Sequence, residues 1–254
     1  MRERVRERAP NLSTAAWLYL FLRAQQRRYA RAGADPRPPR ELVEASPNGA
    51  VLRLRDHELA DLRFQLGELA ASQKLDEIAA FLDRVAAIRP RAVCEIGSAA
   101  GGTLYLLTRV AADDAVLVSI DVDLPAHVAA ARRRLARADQ RVVGIQGDSH
   151  APATVDRLRA ALAGRPLDVL FIDGDHSYAG VRGDWERYAP LVRPGGVIGL
   201  HDVHEDYTTS RGAVTAAISG DVPRFWRELG AGLRTEELVA DPEQDGYGIG
   251  VVYP

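Results

Sequence analysis

Ala92-Val93-Cys94-Glu95-Ile96-Gly97-Ser98-Ala99-Ala100-Gly101-Gly102-Thr103 is the stretch on which the reading of the fold turns. Apart from Glu95 its first five residues are apolar, as in a strand covered on both faces of a parallel sheet. Three glycines open a turn, and Leu104 to Ala111 resumes a helical pattern. Strand, glycine turn and helix start together bring backbone N–H groups against a bound ligand. The spacing Gly-x-x-x-Gly-Gly differs from the Gly-x-Gly-x-x-Gly of dinucleotide binders. Glu95, two residues before the first glycine, would repel a pyrophosphate and suit a cationic ligand.

Working outward, 254 residues can bury one substantial core, so one α/β domain with an appendage fits better than two domains. The chain is 46% hydrophobic and 27% charged, ordinary for a globular protein. A net charge of -2 argues against a nucleic-acid partner. The charge is uneven: residues 1–40 hold ten Arg against Glu3, Glu7 and Asp35, about +7, which leaves about -9 for the rest. The single cysteine, Cys94, permits no disulfide within the chain and fits a reducing cytoplasm. The apolar run Ala15 to Leu22 is too short to span a bilayer and lacks a signal-peptide cleavage pattern.

Residues 1–71 are expected to form a helical extension, serving as a lid or a subunit interface. Within it Ser13 is a candidate N-cap, and Trp17, Leu18, Phe21 and Leu22 make an apolar stripe. The expected partner of that stripe is its own domain or a sister subunit rather than a membrane, and a homo-oligomer is anticipated. Asp35-Pro36-Arg37-Pro38-Pro39 breaks the helix, Pro47-Asn48-Gly49 marks a turn, and a helical pattern follows Asp56. From residue 72 onward the pattern alternates. Helix is expected from Ser72 to about Ile88, near Val128 to Ala138, Ala153 to Ala163, Val181 to Leu191, and around Pro223 to Leu229. Strands are expected at Val116 to Ile120, Val142 to Gln146, Leu167 to Ile172 and Val197 to Leu200, the last entered through a Pro194-Gly195-Gly196 turn. Two closing strands lie near Thr235 to Val239 and Tyr247 to Tyr253. The alternation implies a Rossmann-like, doubly wound, mostly parallel seven-stranded sheet.

In such sheets ligands bind beyond the carboxyl ends of the strands. Here those ends are polar: Glu95 and the glycines, Asp121, Gly147-Asp148-Ser149-His150, Asp173-Gly174-Asp175-His176, and His201-Asp202. Four of the six histidines (His150, His176, His201, His204) fall on this one edge. Asp121 lies 24 residues beyond Gly97, near the offset at which an acid meets ribose hydroxyls; Asp123 competes for that role. A nicotinamide-dependent dehydrogenase is disfavoured by the glycine spacing and Glu95. A non-catalytic binding protein is disfavoured by the strand-end acids.

The string Glu-Ile-Gly-x-x-x-Gly-Gly-Thr resembles the first motif of class I S-adenosylmethionine-dependent methyltransferases. Leu167 to Val203 carries Asp-Gly-Asp-His-Ser-Tyr and Leu-Val-Arg-Pro-Gly-Gly-Val-Ile-Gly-Leu-His-Asp-Val. It is similar to the family of macrocin-type sugar O-methyltransferases and the proteins labelled cephalosporin hydroxylase. The likeness covers about residues 70–254 and implies a reversed edge strand in the sheet. It also implies a cofactor, S-adenosylmethionine, bound by Glu95, Gly97, Ser98, Gly101, Gly102, Thr103, Asp121, Asp148, Ser149 and Asp173. A more distant likeness, to metal-dependent catechol-type O-methyltransferases, puts Asp173 and Asp202 on magnesium-ligand positions. His201 stands where that pattern has an acid, a departure because hard cations prefer oxygen ligands. Glu205 or Asp206 is then a candidate for the missing oxygen. The residue three beyond the strand-four aspartate, a general base in those enzymes, is His176 here. Asp175 is either a further ligand or an orienting partner of His176, and Gln73 either lines the site or solvates a helix start. The implied reaction is methyl transfer to a hydroxyl of a small molecule, first a sugar of a nucleotide sugar or glycosylated natural product, second a phenol or catechol.

Overall fold

The computed structural model describes residues 43–46, 49–52 and 70–71 as backbone strands, and residues 73–254 except 100, 125, 216 and 231. In the first segment β1 (Val43–Ser46) and β2 (Gly49–Leu52) pair antiparallel with Ser46 opposite Gly49, and β3 (Ala70–Ala71) joins β2. Of the turn expected at Pro47-Asn48-Gly49, residues 47 and 48 lie outside the described residues. These three short strands lie within the expected helical extension, the first two in the part of it that reads as a mixed segment. The helices read over 1–32 and after Asp56 lie outside the described residues.

The remainder is the alternating α/β unit. In order it runs α1 (Leu75–Ile88), β4 (Ala92–Ile96), α2 (Gly102–Val110), β5 (Val116–Asp121), α3 (Ala126–Arg132), β6 (Arg141–Gln146), α4 (Pro152–Ala161), β7 (Leu167–Ile172), α5 (Tyr178–Tyr188), β8 (Val192–His201), α6 (Tyr207–Arg211), α7 (Val222–Leu229), β9 (Thr235–Leu238) and β10 (Ile249–Val252). The seven strands stand in the order β6-β5-β4-β7-β8-β10-β9. β4 to β8 pair in parallel, and β10 runs antiparallel to both β8 and β9. The reversed strand therefore lies one in from the edge, inserted between β8 and β9.

Every residue of β4 is buried, because helices cover both faces of the sheet. On one face Val93 and Phe171 meet Ile78, Phe81, Leu82 and Val85, the apolar stripe of α1, together with Leu104 to Leu107 of α2. On the other, Cys94 and Ile96 meet Leu158 of α4, Val181 and Tyr188 of α5, and Trp226 of α7. α1 begins with Lys74 in the cap position rather than Ser72, and ends at Arg89 in a left-handed conformation before Pro90. α3 stops at Arg132 and tightens into a 3-10 turn over Arg133–Leu135, short of the expected Ala138.

One expectation of the sheet is corrected. Pro194-Gly195-Gly196 does not precede the strand but lies inside β8 as an irregularity, with a register shift opposite Leu167 and Val169. Gly195 takes φ 75°, and Arg193 Nε donates to Asp168 Oδ1 at 2.5 Å, while Asp168 Oδ2 accepts from the backbone of Arg91 and Ala92. The sheet thus passes a Pro-Gly pair as a bulge. No helix among the described residues is long and apolar enough to cross a membrane.

Candidate active site

A cavity of about 890 Å³ opens beyond the carboxyl ends of β4, β5, β7 and β8, the edge where open α/β sheets bind ligands. Gly97, Asp121, Asp148, Ser149, Asp173, His176, His201 and Asp202 line it, together with Ile218 and Tyr247.

The glycine turn is built by close approach. Gly97 has φ 76°, and a methyl group there would sit 1.8 Å from the Asp173 carbonyl oxygen. The turn after β4 is therefore pressed against the turn after β7, and only a residue without a Cβ fits. Two side chains hold the turn. Asp121 Oδ2 accepts from the backbone N–H of Ser98 and of Ala99, both at 2.9 Å, and its Oδ1 accepts from Asp123 N–H at 2.9 Å. Arg132, fully buried, donates from Nη1 to Ser98 Oγ at 2.5 Å and Ser119 Oγ at 2.8 Å, and from Nη2 to the Ala99 carbonyl. Nothing in the sequence marked Arg132. It stands 34 residues from Ser98 in an arginine-rich helix end, where a solvated face is the ordinary reading.

This network separates the expected cofactor residues. Gly97, Asp121, Asp148, Ser149 and Asp173 line the cavity, whereas Glu95, Ser98, Gly101, Gly102 and Thr103 are buried and do not. The Ser98 hydroxyl is engaged by Arg132 and Ser119, and Thr103 Oγ1 donates to Gln73 Oε1 at 2.8 Å. Gly101, at φ 87°, caps α2 with the Arg132 side chain where a Cβ would meet it. Glu95 is 1% exposed, and one carboxyl oxygen has no hydrogen-bond partner. Burial pushes its carboxyl up to about 8, with the charge of Arg132 opposing.

At the adjoining wall four groups converge: Asp173, His176, His201 and Asp202. His201, the last residue of β8, places Nδ1 at 3.1 Å from Asp173 Oδ1 and 3.1 Å from Asp202 Oδ2. His176 Nε2 lies 3.4 Å from Asp202 Oδ2 and 3.7 Å from Asp173 Oδ1. Its Nδ1 meets the Ile218 carbonyl at 2.7 Å, so Nδ1–H donates there and Nε2 faces the acids. Asp202 is held at φ 61°, a left-handed conformation that a non-glycine residue adopts at a cost. Asp173, His201 and Asp202 each offer a ligand atom, and these lie within 4.8 Å of one another.

The electrostatics follow from this crowding. The Asp173 carboxylate beside His176 raises that imidazole to about 9, against burial and with help from Asp202. Burial would lower His201, but Asp173 and Asp202 hold it well above the usual range. Burial would likewise raise Asp173, yet the two imidazoles keep it well below the usual carboxylate range. Two acids thus draw positive charge into one place. Two carboxylate oxygens and one imidazole nitrogen suit a divalent cation, and His201 Nε2, buried without a hydrogen-bond partner, leaves that ring uncommitted on its far side.

Other candidates resolve differently. Glu205 pairs with Arg227 at 2.7 Å, and Asp206 caps α6 while accepting from Ser219 N–H at 2.9 Å, so neither supplies the cluster with an oxygen. Asp175 Oδ1 accepts from Ser177 N–H at 2.9 Å and shapes the entry to α5. His150 lines the cavity with Nε2 3.0 Å from the Gly180 carbonyl and 3.3 Å from buried Asp184. His204 lines a separate cavity of about 400 Å³. Tyr247, unremarked in the sequence, packs edge-on against His201 with ring centroids 6.0 Å apart.

A family model described as "Methyltransferase domain" matches residues 94–203. The mycinamicin VI 2''-O-methyltransferase of Micromonospora griseorubida is 31% identical over 110 residues, which is 42% of this chain; the match spans only 27% of that relative's length. An O-methyltransferase from Bacillus cereus in complex with S-adenosylhomocysteine superposes with a TM-score of 0.51 at 17% identity, covering 92% of this chain and 90% of its own. TomG, an O-methyltransferase from Streptomyces achromogenes in complex with S-adenosylmethionine, gives 0.52 at 19% identity, covering 84% and 92%. The family likeness is confined to residues 94–203, and the fold is the class I methyltransferase fold read from the sequence.

Proposed function

We propose that the chain transfers the methyl group of S-adenosylmethionine to a hydroxyl oxygen of a small molecule, with a divalent cation held by Asp173, His201 and Asp202. One observation carries this reading: two acids and two imidazoles meet at the cavity wall, directly against the glycine turn. S-adenosylmethionine supplies a methyl group on a sulfonium, a leaving group that needs no protonation. A divalent cation, magnesium first, supplies positive charge that stabilises the developing oxyanion and frees His176 from the acids that keep it protonated up to about 9.

The residues have defined tasks under this reading. Asp121 keeps the turn closed with Oδ2 and has lone-pair capacity left on Oδ1 for a ribose hydroxyl. Asp148 and Ser149 line the far end of the cavity for the base. His176 is aimed by the Ile218 carbonyl, and its Nε2 takes the proton from the acceptor hydroxyl as the oxygen attacks. For the acceptor we take a sugar hydroxyl of a nucleotide sugar or glycosylated natural product, supported by the likeness to the mycinamicin VI 2''-O-methyltransferase.

The test is a panel of glycosides, nucleotide sugars and catechols incubated with S-adenosylmethionine and Mg²⁺, read as S-adenosylhomocysteine release and a gain of one methyl mass. A glycosidic hydroxyl is expected to turn over, and EDTA is expected to abolish that turnover while S-adenosylhomocysteine still binds with a Kd on the order of micromolar, about -8 kcal/mol. Full activity in excess chelator would remove the cation from the reading. Failure to bind S-adenosylhomocysteine by calorimetry would overturn it altogether.

A further inference from the structure

Gln73 sits two residues before α1 and is 1% exposed, a long way in sequence from both groups it touches. Its Oε1 accepts from Thr103 Oγ1 at 2.8 Å, and its Nε2 donates to Asp173 Oδ2 at 3.1 Å. The amide has one usable orientation, since turning it over would set its carbonyl oxygen against a carboxylate oxygen. Asp173 is divided in consequence. Oδ2 belongs to Gln73, and Oδ1 is left facing His201 and His176. Thr103 lies in the first turn of α2, directly after Gly101 and Gly102, so it moves with the glycine turn.

We infer that Gln73 is a positioning residue linking the cofactor turn to the cation site, so that the two ligands bind cooperatively. The inference rests on the function proposed above. A ligand that orders the turn fixes Thr103, and through Gln73 fixes the Asp173 rotamer that presents Oδ1 to a cation. A cation on Asp173 fixes the same chain from its other end. Outer hydrogen-bond partners of this kind tune metal affinity by about 10- to 100-fold. Coupling of two ligands through one such element must be reciprocal, each tightening the other by the same factor.

The experiment is calorimetry on the full chain with two probes, Mn²⁺ and S-adenosylhomocysteine, each titrated alone and with the other saturating. In the wild type each probe is expected to bind roughly 5- to 30-fold tighter when the other is present. Gln73→Leu is expected to weaken Mn²⁺ alone by about 10- to 100-fold and to bring the coupling factor near one. Thr103→Val keeps the volume and the Gln73–Asp173 bond. It should leave Mn²⁺ alone within about twofold yet lose the coupling, whereas Thr103→Ser, which restores a hydroxyl, should retain it. A merely structural Gln73 would not separate these two Thr103 variants. Independent binding of the two probes in the wild type, or coupling that persists in Thr103→Val, overturns the inference and leaves the proposed function standing. A wild type that binds S-adenosylhomocysteine but no Mn²⁺ overturns the cation reading instead, and with it this one.

Discussion

Glu95 is the place where burial and charge oppose each other most directly, and Glu95→Gln puts a number on the contest. The carboxyl is buried to 1% exposure with one oxygen unpartnered, and burial raises it from 4.5 to about 8. Because the folded pKa lies above the unfolded one, the contribution to stability is whole below 4.5. It is lost progressively as pH rises toward about 8, where the folded protein ionises in turn. From 4.5 to about 8, at ~1.4 kcal/mol per pH unit, the linkage is at most about 4–5 kcal/mol. Relaxation and the nearby Arg132 charge reduce this, so about 2 kcal/mol is the working expectation. Glutamine keeps the shape and removes the titration. Urea unfolding of the ligand-free wild type and variant, compared from pH 5 to pH 9, isolates the effect because all other titrating groups are shared. The variant should be near equal at pH 5 and more stable than wild type by about 2 kcal/mol at pH 8.5. A difference that stays constant across this range would refute the reasoning and show Glu95 ionised in the fold, paired with Arg132.

Gly97→Ala drives a methyl group into the Asp173 carbonyl at 1.8 Å, so the turn must shift; S-adenosylhomocysteine binding by calorimetry is expected to fall at least tenfold, and an unchanged Kd would contradict the packing. Asp121→Asn leaves one acceptor oxygen where the carboxylate received three backbone N–H groups, and its amide nitrogen cannot accept; affinity for the same probe should drop by roughly 1–3 kcal/mol. His176→Ala is expected to lower the single-turnover rate by about 10²- to 10⁴-fold with S-adenosylhomocysteine affinity within about threefold, and a near-normal rate would end its candidacy as base.

The elements most legible in the sequence were those whose environment is uniform. β4, β5 and β7 are mostly apolar because both sheet faces are covered there, and their ends, like those of the edge strand β6, could be read to within a residue. Pro194-Gly195-Gly196 misled because local chemistry signals a turn, while Asp168 of β7 ties Arg193, at the edge of the bulge, to the start of β4. At the site, the strand-end acids and histidines were visible as a set, and Asp173, His176, His201 and Asp202 do meet. What could not be read was which acids are occupied elsewhere. Glu205 and Asp206 carry the same residue types at the same edge, yet one is an ion-pair partner and the other a helix cap. Arg132, Ile218 and Tyr247 were invisible because their roles depend on side-chain direction across long sequence separations.

The glycines also mean something different from what their spacing alone suggests. A glycine turn after a buried strand is ordinarily explained by a ligand that must approach the backbone. Here the nearest obstacle to a Cβ at Gly97 is the protein itself, the Asp173 carbonyl at 1.8 Å, and at Gly101 it is Arg132 at 3.3 Å. The turn is thin so that β4 and β7 can close on each other, and that closure puts Asp173 against the cofactor turn rather than a strand's width away. Gln73 can then reach from Thr103 to Asp173 with a single amide. Lengthening that gap by one methyl group would part the two hydrogen bonds together. Under the proposed function, the glycine spacing is therefore as much a requirement of the cation site as of the cofactor site.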